Sequence, residues 1–180
     1  MRTQTINKIL TDNGYESYLE IGLGDGSNFK SIKVGYKILV DPNAGEILGG
    51  SVEVISETSD EFFNINENQK FDLIFIDGDH TAQQVEKDII NAYKALNKGG
   101  MILLHDVNPP SEEAQIVPRQ QDQWTGDVWR AVVGFMEVYR DKIKTGYFND
   151  PYGLFAIYKT GRFAVKEEFT DYEMTYQEFE

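Results

Sequence analysis

Two apolar runs constrain the fold of this chain more than anything else in it: Phe71-Asp-Leu-Ile-Phe-Ile76 and Met101-Ile-Leu-Leu104. Each has the composition of a strand buried on both faces, as in parallel sheets. Between them lies Thr81–Leu96, where Val85, Ile89, Ala92 and Leu96 recur at helical spacing and form one apolar stripe. A helix that joins two buried strands is a parallel βαβ unit, and its sheet needs helices on both faces. Each run ends in ionisable groups: Asp77, Asp79 and His80 after the first, His105 and Asp106 after the second. Ligands of open α/β sheets bind beyond the carboxyl ends of the strands, so these groups converge where a ligand would sit.

The rest of the chain repeats the alternation. A helix is expected near Thr5–Thr11, then a strand Tyr18–Ile21, a glycine-rich turn and a short helix over Gly26–Ile32. Strands follow at Lys37–Val40 and Val52–Ser56, then a helix from Ser59, where Ser59 and Asp60 can cap. Phe71–Ile76 is the fourth strand, and Lys98-Gly-Gly stops the next helix ahead of Met101–Leu104, the fifth. Asn108–Gln123 is a long loop placed to act as a lid over the strand ends. A helix over Gly126–Tyr139 precedes two closing strands, Ile143–Phe148 and Gly153–Tyr158, joined by Asn-Asp-Pro-Tyr. The expected architecture is α/β: a doubly wound, mostly parallel seven-stranded sheet with an antiparallel C-terminal hairpin. Residues 1–160 form one domain, and 161–180 an acidic-aromatic tail with no evident place in the core.

Thirty acidic residues against 17 basic give a net charge of −13. That field repels polyanions, and no dense Lys/Arg cluster counters it, so neither nucleic acid nor an anionic membrane is an expected partner. Cysteine is absent, which excludes a disulfide scaffold, a thiolate zinc site and a cysteine nucleophile. The first residues lack the apolar core of a signal peptide, and no run has the length of a membrane span. A cytoplasmic protein is the expectation. The aromatic tail is free to pack on a second copy, which leaves a homo-oligomer open.

Glu20-Ile-Gly-Leu-Gly-Asp-Gly26 follows a strand and opens a helix. Gly22, Gly24 and Gly26 permit a tight turn and close approach of a ligand to the backbone. One unit later the second strand ends at Asp41, whose carboxylate can accept both hydroxyls of a ribose. Glycine turns also follow strands where no ligand binds; Asp41 is what shifts the reading toward a nucleotide-like cofactor. The spacing G-x-G-x-G departs from the dinucleotide G-x-G-x-x-G. Glu20 could hold a cationic ligand group or brace the loop, neither of which a pyrophosphate requires. The pattern favours a nucleoside cofactor with a cationic tail over NAD.

These residues resemble motif I of the S-adenosylmethionine-dependent methyltransferases with a Rossmann-like core. Glu20-x-Gly22-x-Gly24-x-Gly26, Val40-Asp41-Pro42 and the strand-end Asp77 match in order, across Tyr15 to Tyr158. Ile76-Asp-Gly-Asp-His-Thr, Lys98-Gly-Gly and Leu104-His-Asp resemble more narrowly a small branch similar to metal-dependent sugar O-methyltransferases. The resemblance implies a Rossmann-like sheet and S-adenosylmethionine as cofactor. Gly22, Gly24 and Gly26 would line the methionine moiety with Glu20 and Asp77 nearby, Asp41 the ribose, and Thr58 the adenine.

Methyl transfer from a sulfonium needs a nucleophile made and aimed. A divalent cation such as Mg2+ on oxygen ligands lowers the pKa of a hydroxyl and fixes its position. Asp77 and Asp106 end adjacent strands and could hold one; His80, three residues after Asp77, could take the hydroxyl proton. His105 stands where those relatives more often carry an acid or amide. A metal ligand, a group orienting Asp106, and a residue facing elsewhere are all open to it. Asp77 and His80 could instead only cap the following helix. Asp79 reads as a capping residue, Trp124 and Trp129 as pocket walls or core, and Arg119 as a candidate contact for an anionic substrate. The expected activity is O-methylation of a hydroxyl on a small molecule or sugar. The alternatives are an NAD-dependent oxidoreductase and a non-catalytic binding module on the same fold.

Overall fold

The structure is a computed structural model that describes residues 1–44, 53–160 and Tyr176. Helix α1 (Arg2–Asn13) leads into β1 (Ser17–Ile21), the short α2 (Ser27–Ser31), β2 (Tyr36–Val40) and β3 (Glu53–Ile55). Helix α3 (Ser59–Ile65), β4 (Phe71–Ile76), α4 (Ala82–Ala95) and β5 (Leu96–His105) follow. The domain closes with α5 (Val128–Tyr139), β6 (Lys144–Phe148) and β7 (Leu154–Tyr158). The seven strands form one sheet in the order β3-β2-β1-β4-β5-β7-β6. Pairing is parallel from β3 through β5, while β7 is antiparallel to both β5 and β6. The fold is the α/β, Rossmann-like architecture expected.

The strand pleat sends alternate residues to opposite faces, and each face has its own core. Leu19, Ile21, Ile74, Ile76, Ile102 and Leu104 pack with α3, α4 and α5. Tyr18, Leu73, Phe75, Met101 and Leu103 pack with α1 and α2. These strands are apolar in nearly every position because both faces are covered.

Three boundaries move for physical reasons. Helix α1 extends beyond Thr5–Thr11 at both ends, to Arg2 and Asn13; its polar residues hid its ends. Strand β5 begins at Leu96, because Lys98-Gly-Gly continues the strand: Gly99 N donates to the Lys159 carbonyl and Lys159 N to that of Gly100. Only Glu53–Ile55 of the third strand is described as strand, and Val52 lies outside the described residues. So does the tail, residues 161–180, except for Tyr176. That residue is buried; its hydroxyl donates to the Pro109 carbonyl and its ring meets Trp129 edge-on. One tail residue therefore does reach the core.

The register sets the functional edge. Ile21 pairs with both Val40 and Ile76, and Ile76 with Leu104. The next residues, Gly22, Asp41, Asp77 and His105, are therefore brought to one rim. The strand order reverses direction between β1 and β4, the switch point at which such sheets bind ligands.

Candidate active site

At the switch point the backbone of Gly22 lies against that of Asp77. Gly22 has φ +99°, and a Cβ there would stand 2.1 Å from the Asp77 carbonyl oxygen, so glycine is required twice over. The turn ends at Gly26, which precedes the first residue of α2. Asp41 braces this turn from β2: Oδ2 accepts from Leu23 N at 3.0 Å and Oδ1 from Asn43 N at 2.7 Å. Asp41 also lies between two cavities. One, of about 360 Å3, is walled by Pro42, Thr58, Asp60 and Gln84; the other, of about 440 Å3, by Gly24, Arg2, Asp77, His80 and Trp124. Gly22, Asp41 and Gly78 line both.

Two residues assigned to the cofactor have visible structural duties. Thr58 caps α3 in a reciprocal capping box with Glu61, while still lining the smaller cavity. Glu20 is buried and lines neither cavity. Its Oε2 accepts from the Tyr18 hydroxyl at 2.6 Å and from Asn28 Nδ2 at 2.9 Å, and Asn28 in turn accepts from Thr3. Burial pushes the Glu20 carboxyl up to about 7, against the pull of those two donors. Glu20 thus ties β1 to α2 across the glycine turn.

The larger cavity holds the titratable cluster. His80 Nε2 stands 3.4 Å from Asp106 Oδ2 and 3.6 Å from Asp77 Oδ1. His105 Nδ1 is 3.2 Å from both Asp77 Oδ1 and Asp106 Oδ1, and its Nε2 is 3.4 Å from Asp150 Oδ1. Arg2 Nη1 lies 2.7 Å from Asp77 Oδ2. Burial alone would raise the Asp77 carboxyl, but hydrogen bonds from His105 and His80 and the charges of His105 and Arg2 hold it down at about 2. Burial alone would lower both histidines. Asp106 and Asp77 overcome it at His105, which rises to about 10; Asp77 and Asp106 also raise His80. Asp106 sits at φ +59°, uncommon backbone for a non-glycine residue and the kind found at sites.

Trp124 and Trp129 part company. The Trp124 indole stacks on His80 with centroids 5.1 Å apart, while Trp129 is wholly buried. The loop expected as a lid lines the larger cavity through Arg119, Asp122 and Gln123. The Arg119 guanidinium donates to the carbonyls of Gln121 and Asp122. Asp79 accepts from Thr81 N beside the start of α4. Arg2, Asp150 and Tyr152 belong to the site and went unread in the sequence. Asp150 looked like half of a turn signal; Arg2 carried no local signal at all.

Asp77, His80 and Asp106 each offer one ligand atom, and those atoms lie within 4.8 Å of one another. Two carboxylates and an imidazole fit a hard or borderline divalent cation. The sequence offered Asp77, His105 and Asp106 for a metal and His80 for the proton; here His80 clusters with the two carboxylates. His105 is buried between those carboxylates and Asp150.

Structures of known proteins share the fold. An O-methyltransferase from Bacillus cereus, in complex with S-adenosylhomocysteine, aligns at TM-score 0.63 and 19% identity, over 88% of this chain and 80% of its own. The O-methyltransferase TomG of Streptomyces achromogenes, in complex with S-adenosylmethionine, aligns at 0.66 and 13%, over 89% and 80%. The N-methyltransferase NodS of Bradyrhizobium japonicum aligns at 0.56 and 11%, over 87% and 92%. No curated protein sequence matches the chain. No helix among the described residues is long and apolar enough to cross a membrane. The model of a family described as a methyltransferase domain matches residues 8–107, more than half of the chain, and the protein belongs to that family.

Proposed function

We propose that the protein is an S-adenosylmethionine-dependent O-methyltransferase acting on a hydroxyl of a small molecule or sugar. One observation carries the reading: the Asp77–His80–Asp106 cluster opens into the same cavity as Gly22, Gly24 and Asp41. A nucleoside lying over Asp41 has its base on the Thr58 side and its sulfonium in the cavity that holds the cluster. The acceptor hydroxyl approaches in line with the sulfonium methyl. The new O–CH3 bond forms as the S–CH3 bond breaks, sulfur keeps the electron pair, and the hydroxyl proton passes to His80 Nε2.

His80 is held for that task by Trp124 on one ring face and by two carboxylates at Nε2. Those carboxylates stabilise the imidazolium that forms, which makes the neutral ring a stronger base. A divalent cation held by Asp77 and Asp106 would supply Lewis-acid polarisation of the hydroxyl and leave His80 Nε2 free for the proton; one that also took Nε2 as a ligand would replace His80 as the activating group. The oxygen preference rests on a base paired with carboxylates, an arrangement suited to a weakly acidic acceptor.

The reading is tested by calorimetry with S-adenosylhomocysteine, followed by labelled methyl transfer to a panel of hydroxylated and aminated acceptors. Micromolar binding and label in methyl ethers are expected. No binding removes the cofactor, and label confined to amines removes the oxygen preference.

A further inference from the structure

Arg2 projects into the larger cavity from outside the 8–107 span that carries the family match. Its Nη1 is 2.7 Å from Asp77 Oδ2 and 3.2 Å from His105 Nδ1, and its guanidinium lies 5.9 Å from the centre of the Phe75 ring. Nε and Nη2 make no hydrogen bond to a described residue, and the side chain is 32% exposed. Arg2 therefore presents free donors to the cavity while one donor rests on Asp77.

Its position is tied to the glycine turn. Thr3 donates to Asn28 Oδ1, and Asn7 bridges to the Ser31 carbonyl and to Lys33 N. These bonds fasten α1 to α2, the helix that the turn opens. The other guanidinium on this cavity, Arg119, is engaged by two backbone carbonyls and lies over Trp124. Among the described residues, Arg2 is the arginine placed beside Asp77 and the turn.

We infer that Arg2 and Asp77 form a receptor for the zwitterionic amino-acid end of the cofactor, Arg2 taking the carboxylate and Asp77 the ammonium. The inference rests on the cofactor reading above. With the base beyond Asp41 and the sulfonium in the larger cavity, the amino-acid end must lie in that cavity too. A guanidinium and a carboxylate side by side present the two charges opposite to those of an α-amino acid. The guanidinium fork binds carboxylate through two parallel N–H donors, which an ammonium side chain cannot do. Binding exchanges one ion pair for two, so neither charge is left bare.

The test compares S-adenosylhomocysteine with its decarboxylated analogue, S-adenosyl-3-thiopropylamine, by calorimetry on the full chain and on Arg2→Gln and Arg2→Lys. Arg2→Gln should lose tenfold or more in affinity for S-adenosylhomocysteine, while the decarboxylated ligand binds as before or more tightly. Arg2→Lys should recover part of the loss. Equal losses for both ligands, or no loss for either, overturn the inference while the cofactor reading stands. A wild-type chain that binds neither ligand overturns both.

Discussion

The imidazole of His80 and the indole of Trp124 lie stacked, 18° from parallel with centroids 5.1 Å apart. His80 follows β4 and Trp124 comes from the long loop before α5, so this contact joins the loop to the proposed reaction centre. The loop is fixed at both sides of it. Trp124 Nε1 donates to the Ile116 carbonyl at 2.6 Å, and Asp127 N to that of His80 at 3.1 Å. Gly126 permits this approach, since a Cβ there would stand 2.0 Å from the His80 carbonyl oxygen. Trp124→Ala should therefore lower kcat/KM about tenfold, an offset-stack loss of the usual size. Trp124→Phe should retain most of it. Steady-state kinetics on the acceptor that emerges from the panel checks both.

His80→Gln removes the proton acceptor while leaving the cofactor groups in place. The turnover number should fall by about 10²–10⁴, the usual worth of a general base. Affinity for S-adenosylhomocysteine should stay within about threefold by calorimetry. A variant that turns over normally would assign His80 to the capping role at α4.

Asp41→Ala strikes both halves of the proposed cofactor cleft, since the carboxylate braces the turn through Leu23 N and lines both cavities. Affinity for S-adenosylhomocysteine should drop by about 10²-fold, the loss of charge-assisted hydrogen bonds to a ribose. Unchanged affinity in calorimetry would move the ribose away from Asp41.

Gly22→Ala places a methyl group on the Asp77 backbone. The β1–β4 junction must separate or the turn must refold, at a cost of about 3 kcal/mol or more. Thermal melting should show a drop of several degrees, together with loss of cofactor binding. Gly24→Ala makes the contrast: no atom lies within 4 Å of its added Cβ, and only φ +52° opposes it.

Stability should fall as pH rises through neutrality. Burial raises Glu20 from 4.5 to about 7 and Asp88 from 3.8 to about 7. The folded chain therefore holds protons at these sites that the unfolded chain has released, and that contribution is present below about pH 4 and lost on passing pH 7. Asp88→Asn, which removes the titration of a side chain that is 1% exposed, should flatten this slope. It should stabilise the protein at pH 8 by about 4 kcal/mol relative to its effect at pH 4, on a scale of 1.36 kcal/mol per pKa unit. Denaturant melts at the two pH values provide the measurement.

Much of this protein was determined by sequence alone, for local reasons. Strands covered on both faces must be apolar throughout, so Phe71–Ile76 and Met101–Leu104 were legible as buried parallel strands. A turn that approaches another backbone requires glycine, so Gly22 was legible too, and Asp77, His80 and Asp106 stood at strand ends where the fold puts ligands. Tertiary structure decided what depends on distant partners. Whether Lys98-Gly-Gly stops a helix or extends a strand turned on pairing with Lys159. Whether Glu20 faces a ligand or the loop turned on Tyr18 and Asn28. That His80 joins Asp77 and Asp106 in one cluster, and that His105 meets Asp150 from the β6–β7 turn, turned on tertiary packing. Arg2 reached Asp77 across 75 residues of sequence. An arginine on a polar helix has no periodicity or spacing that marks it, and only the packing of α1 against the sheet brings its charge to the site.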